Sequence, residues 1–323
     1  MGSAVIDLPP SLRFIERDWL SSNHLLAFSA RGNTIIDTGY SSRRELTLAL
    51  VEAALGGAPL HRIVNTHTHS DHVGGNAALK ARYGCRIEIP IGELEPIALW
   101  QEDRLHYRTM GQACDRFAAD GYYAAGDRLE FGDLDWEVIG SPGHDTDSLM
   151  LWQPRHRLLV CADALWEHGF GLQFPDFFDE NAFDAQAATL ERIAALDARI
   201  AIPGHGPMFT DVGAAIDRAR ARIGYFKRHP ERHARLALKV ALSFMLLDRR
   251  RMPLASLAQA WGGLELVQRI NAKYFGEPIA PLTAAIRDEL IAAGGAAIEC
   301  DNLVAVAVQG RPATLGAFRR NRA

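Results

Sequence analysis

The sequence predicts an α/β sheet-and-helix sandwich followed by a helical C-terminal region. Short apolar strands alternate with amphipathic helices through the first two thirds of the chain. Strands also occur in adjacent runs there, which favours packed layers of sheet and helix. After Pro207 the pattern turns helical. On this reading the 323 residues divide into domains 1–213 and 214–323.

The elements follow in order. Residues 24–29 and 33–37 read as short strands, with Arg31-Gly32 as the turn between them. Residues 43–55 are apolar at helical spacing and stop at Gly56-Gly57. A strand over 61–65 runs into 66–72, and a helix follows over 76–83. Further strands fit 86–90, 128–131, 134–139, 148–152 and 158–161. Residues 93–126 read as a longer helical stretch rich in aromatics. A helix over 184–196 and a strand over 200–202 complete the first domain. Helices are then expected over 214–227, 232–247, 253–261, 264–275 and 282–293, with a hairpin over 296–299 and 303–307. Helices followed by a two-stranded wing resemble a winged-helix arrangement.

Composition excludes several classes. With 48% hydrophobic and 23% charged residues, the chain has material for a sizeable core, and disorder on compositional grounds is excluded. The first twenty residues lack the basic and apolar runs of a secretory signal, and no uninterrupted apolar stretch of about 18 residues predicts a membrane span. The four cysteines are scattered, so they read as reduced thiols in a cytoplasmic protein. The net charge of −4 is uneven. From Ile216 onward, 18 basic residues face 9 acidic ones, leaving an acidic body with a basic C-terminal region. That region is either a solvated helical face or a polyanion-binding surface.

One segment concentrates chemistry. His67-Thr68-His69-Ser70-Asp71-His72 places four candidate metal ligands within six residues at a strand-to-helix turn. Imidazole and carboxylate suit zinc and its neighbours. Three later strands each end in one more candidate: His144 after Ser141-Pro142-Gly143, Asp163 after Cys161-Ala162, and His205 after Pro203-Gly204. Read singly each is weak, and Asp163 alone would be a turn residue. Together they supply ligands for two metals.

The series THTHSDH, SPGH, CAD and PGH resembles the metallo-β-lactamase superfamily. Its order and spacing are similar to the glyoxalase II, lactonase and lactamase-B2-like branches over roughly residues 20–210. The resemblance implies a four-layer αβ/βα sandwich with metals at the edge of its two sheets. It implies that His67, His69 and His144 hold one ion and that Asp71, His72 and His205 hold a second, with Asp163 bridging. Asp37 matches the family's buried aspartate near the site and is expected to support it from outside the ligand set. Two divalent ions are expected, zinc foremost, with iron or manganese also accepted by these ligands. Such a pair lowers the pKa of a bridging water to about 7. The resulting hydroxide would cleave a small acyl-type substrate, a thioester, lactone or ester, with Asp71 or Asp163 passing a proton to the leaving group.

Two segments are expected to line the substrate pocket: the 93–126 stretch, with His106 and Tyr107, and the segment after Asp163, with Trp166 and His168. Both are aromatic with few basic groups, which favours an uncharged substrate. The competing functions are an endoribonuclease or phosphodiesterase of the lactamase-B2-like type and a mononuclear-iron persulfide dioxygenase. For the nuclease stand Arg249-Arg250-Arg251 and the tail with Arg319, Arg320 and Arg322. Against it, the helix over 282–293 carries Arg287, Asp288 and Glu289 and is not basic. A flavo-di-iron protein is disfavoured because His69 stands where that pattern has glutamate. A small-molecule substrate, no membrane and a homodimer are the expected partnerships, with nucleic acid the less favoured one.

Overall fold

In a computed structural model, residues 6–178 and 181–306 are described. Alternation along the first strands explains the layering. Leu25, Ala27, Ile36 and Val64 face one core, while Leu26, Ile35 and Ile63 face another. A strand sends successive side chains to opposite faces, so a sheet apolar on both faces must be covered on both. This first sheet comprises β1 (Leu12–Ile15), β2 (His24–Ala27), β3 (Asn33–Ile36), β4 (Leu60–Val64), β5 (Arg86–Pro90) and β6 (Gly121–Tyr123), in that spatial order. Its first three strands pair antiparallel and the rest run parallel.

The second sheet comprises β7 (Arg128–Phe131), β8 (Leu134–Gly140), β9 (Leu149–Gln153), β10 (Leu158–Ala162) and β11 (Ile200–Pro203), ordered β11-β10-β9-β8-β7. Leu134, Trp136, Val138, Leu149, Leu151 and Val160 meet Leu25, Ile36 and Val64 in the core between the sheets. On the far face of the first sheet lie α1 (Arg44–Leu55), the one-turn α2 (Ser70–Val73), α3 (Asn76–Tyr83) and α4 (Leu94–Leu99). Val51, Leu55, Leu79 and Ile97 belong to the core on that face. On the second sheet's side, α5 (Ala182–Ala195) is tied down by Gln186, Thr189 and Arg192, which donate to the carbonyls of Ala164, Pro142 and Gly140.

Trp136 anchors the inter-sheet core. Its ring is fully buried, stacks on Phe131 at 4.7 Å, and donates from Nε1 to the Phe131 carbonyl at 3.2 Å. Trp136→Ala is expected to cost about 3–5 kcal/mol of stability. Urea unfolding checks this, and a loss below about 1 kcal/mol would mean that the core closes over the gap.

The chain divides into two units, and the boundary lies after residue 228 rather than 213. The helix α6 (Val212–Arg228) joins the first unit because Arg220 pairs with Glu191 of α5 at 2.8 Å and Lys227 pairs with Asp184. The second unit holds residues 109–111 and 229 onward. It contains α7 (Pro230–Arg249), α8 (Leu254–Gly262), α9 (Glu265–Ile270) and α10 (Ile279–Ala292), with a π-helical turn at Asn271–Phe275. The expected hairpin forms as β13 (Ala296–Glu299) and β14 (Asn302–Ala305). A strand the sequence reading did not place, β12 (Arg251–Pro253), pairs antiparallel with β14. Ala307 and the tail arginines lie outside the described residues.

The 93–126 stretch departs from expectation. Only α4 and one short 3-10 turn, Ile91–Glu93, are helical there. Trp100 (φ 53°) caps α4 in a left-handed conformation, and His106 (φ 60°) and Gly111 (φ 64°) break the backbone twice more. Its end forms β6 at the sheet edge. No described helix is long and apolar enough to cross a membrane.

Candidate metal centre

The motif segments leave the ends of β4, β8, β10 and β11 and converge. The loop after β4 is pinned from below by Asp37, which follows β3. Asp37 accepts from Thr66 N at 2.9 Å, from Thr66 Oγ1 at 2.8 Å, and from His72 Nδ1 at 2.8 Å. From the side, the Tyr107 hydroxyl donates to the Thr68 carbonyl at 2.6 Å. Asp37 (φ 55°) and Ala162 (φ 43°) both hold left-handed backbone. That conformation costs a non-glycine residue about 1–2 kcal/mol, and such strain gathers at functional sites.

All seven predicted ligands are brought together. The candidate ligand atoms of His67, His69 and His144 lie within 4.8 Å of one another. So do those of His67, His72 and Asp163, and those of Asp71, His72 and His205. His69 Nδ1 faces His144 Nε2 at 2.8 Å, and His205 Nε2 faces Asp71 Oδ2 at 3.1 Å. Asp163 stands between the groups. Its Oδ1 lies 3.5 Å from His72 Nε2 and 3.8 Å from His205 Nε2, and its Oδ2 lies 3.2 Å from His144 Nε2.

The outer nitrogens are held in turn. His144 Nδ1 donates to the Leu172 carbonyl at 2.6 Å, His72 Nδ1 to Asp37, and His67 Nδ1 meets Thr66 Oγ1 at 3.1 Å. Meanwhile the buried Nε2 atoms of His67 and His72 have no hydrogen-bond partner. A buried polar atom left unpaired costs about 1–3 kcal/mol. Imidazoles oriented from outside with free lone pairs inside are what a cation requires.

The charges agree. Burial, then the neighbouring imidazoles, push His67 and His69 well below the ordinary histidine range. Both are thus neutral near pH 7, the form that ligates metal. Burial alone would raise Asp163, but the charges of His72 and His205 hold it well below the usual carboxylate range. Asp71 is lowered too: its hydrogen bond with His205 and the charge of His72 outweigh burial. His72 moves the other way, because Asp37 and Asp163 outweigh its desolvation. Carboxyl groups that draw positive charge onto a buried imidazole suit a place for a metal cation.

The predicted pocket residues separate. Trp166 reaches the cluster: its Nε1 donates to Asp163 Oδ1 at 3.3 Å and its ring lies 5.4 Å from His205. The His106 ring lies 6.3 Å from His69 and 5.2 Å from Phe178. Tyr107 is buried, so it braces the ligand loop instead of lining a pocket. His168 does not belong to the site. Its side chain is 68% exposed beside Glu167, at the tip of the tight turn that Trp166 and Gly169 close. Two residues were missed. Trp19 lies 5.3 Å from His205 and 5.6 Å from Trp166, and Phe174 lies 5.8 Å from His69 and 5.6 Å from His144. No motif marks either one; both arrive through the fold.

Comparison with known proteins agrees with this geometry. The profile of the metallo-beta-lactamase superfamily matches residues 17–205. A beta-lactamase-like protein 2 homolog from Caenorhabditis elegans is 28% identical over 65% of this chain and 67% of its own length. A hydroxyacylglutathione hydrolase from Rhodospirillum rubrum is 32% identical over 48% of this chain and 52% of its own length. The match thus spans about half of that relative. Among solved structures, a metallo-beta-lactamase family protein from Thermus thermophilus superposes with a TM-score of 0.54 at 21% identity. That likeness covers 93% of this chain and all of that one, and it is a likeness of fold.

Proposed function

The chain belongs to the metallo-beta-lactamase superfamily, and from that premise we propose that it hydrolyses a small, uncharged acyl compound, a thioester, lactone or ester, with two divalent ions, zinc foremost. The observation that carries the reading is Asp163, whose two oxygens face different histidine groups. His67, His69 and His144 would hold one ion and Asp71, His72 and His205 the other, with Asp163 between them. Ions so held supply Lewis acidity and a water acidic enough to react near neutral pH.

The chain's own residues do the rest. Asp71, whose Oδ2 lies 3.1 Å from His205 Nε2, would take a proton only in passing, from the attacking water, and hand it to the leaving group. The Trp166 indole N–H fixes one oxygen of Asp163. Trp19 and Trp166 on the His205 side, and Phe174 on the side of His69 and His144, present aromatic surface around the cluster. Such walls exclude water and favour an apolar acyl group. The hydroxyacylglutathione hydrolases among the relatives support a thioester as the first substrate to try.

Elemental analysis of protein purified without added metal, paired with assays on thioesters, lactones and esters, tests this. The expected result is about two ions per chain and hydrolysis of one acyl class, with apolar acyl groups preferred. About one iron per chain with no hydrolysis would replace this reading with the dioxygenase one.

A further inference from the structure

Each ligating imidazole in a site of this kind needs its other nitrogen held, because that second bond sets the ring's tautomer and aim. His67, His72 and His144 have Thr66, Asp37 and the Leu172 carbonyl for this purpose. His69 turns Nδ1 toward His144, so its Nε2 must be held from outside. That Nε2 is buried and has no hydrogen-bond partner, and Asp145 Oδ2 lies 3.7 Å away.

Asp145 is itself held. Its Oδ1 accepts from Asp147 N at 2.9 Å, which closes a tight turn directly after His144. It is also hydrogen-bonded to Glu93, which meets the Thr68 side chain as well. Glu93 is only 6% exposed and sits in the 3-10 turn after β5. The two turns interlock, since a Cβ at Gly92 would stand 2.0 Å from Asp147 Oδ1. Burial and the charge of Asp145 push Glu93 well above the usual carboxylate range, so Glu93 carries the proton and donates it. Held in this way, Asp145 leaves Oδ2 facing the His69 imidazole.

We propose that Asp145, clamped by Glu93, is the positioning carboxylate that aims His69 at its metal. Neither residue touches the metal or the substrate. The inference rests on the metal reading above, in which His69 is a ligand.

The test uses the full-length metal-free protein, titrated with cobalt(II) against a competing chelator while the visible absorption of the bound ion is followed. Asp145→Asn keeps the turn acceptor but loses the anionic oxygen. It is expected to weaken cobalt binding about 10–100-fold, the range for removing such an outer partner, and to shift the absorption bands. A purely structural role for Asp145 would lower stability and leave the bands of the folded protein in place. Glu93→Gln retains a neutral donor for Asp145 and an acceptor for Thr68, so it should bind cobalt as the unaltered protein does, whereas Glu93→Ala should not. Unchanged affinity and bands in Asp145→Asn overturn the proposal, and so does a Glu93→Gln as impaired as Glu93→Ala. If the unaltered protein takes up no cobalt, the metal reading itself fails, which is a separate outcome visible before any variant is made.

Discussion

Replacing Asp163 with alanine is expected to abolish hydrolysis and to lower the metal content together. The carboxylate has three imidazole nitrogens within 3.8 Å, spread over its two oxygens. Its removal therefore reaches both ligand groups at once. Loss of an outer partner typically costs about 10–100-fold in metal affinity or activity, so loss of this side chain should exceed about 100-fold. A second consequence follows from charge. Asp163 and Asp37 together raise His72 well above the ordinary histidine range. Without Asp163, one of the two carboxyl groups that favour a protonated His72 is gone. Asp163→Asn separates shape from charge: it keeps the volume and an acceptor oxygen but not the anion. Elemental analysis beside the kinetic assay decides the matter. Full metal content with full activity in Asp163→Ala would remove Asp163 from the metal centre, whereas one ion retained would show that only one group depends on it.

The candidate metal cluster was legible because its residues are local. Four of the seven sit within six residues, and the other three each end an apolar strand beside a recognisable turn. Residues that reach the cluster across the fold left no such mark. Trp19 precedes β2 in the first sheet and meets His205, which follows β11 in the second, so the contact exists only once the two sheets face each other. Glu93 and Asp145 are well separated in sequence and meet because the turns after β5 and β8 interlock. The fold class was legible from alternation, as Leu25 and Leu26 facing different cores illustrates. The 93–126 stretch was misread because its aromatics recur at near-helical spacing, whereas left-handed backbone at Trp100, His106 and Gly111 breaks the helix. The domain boundary was misplaced because α6 continues the helical pattern of the second unit while its ion pairs tie it to α5. His168 was drawn in by its nearness to Asp163 along the chain, but the intervening turn points it at solvent.

Gly204 carries the second large effect, through close approach to the cluster rather than through backbone freedom. Its φ is not in the left-handed region; the position is small because the site is close. A Cβ there would stand 2.2 Å from Asp163 Oδ1 and 3.0 Å from His72 Cε1. The backbone cannot back away, since Gly204 N donates to the Ala162 carbonyl at 2.8 Å and its own carbonyl accepts from Asn23 N at 2.7 Å. Asp163 or His72 must shift, and forced overpacking of this kind costs about 1–3 kcal/mol. Gly204→Ala is therefore expected to displace Asp163 and to lose metal and activity to nearly the same extent as Asp163→Ala, while circular dichroism stays native. Gly206, two residues on, is the matching control. Its backbone is left-handed (φ +81°), but a Cβ there meets nothing within 4 Å. Gly206→Ala should cost about 1–2 kcal/mol in stability through backbone strain alone and keep its metal. If both variants lose metal equally, the loop's flexibility governs the site; if only Gly204→Ala does, the close approach to Asp163 is what the glycine is for.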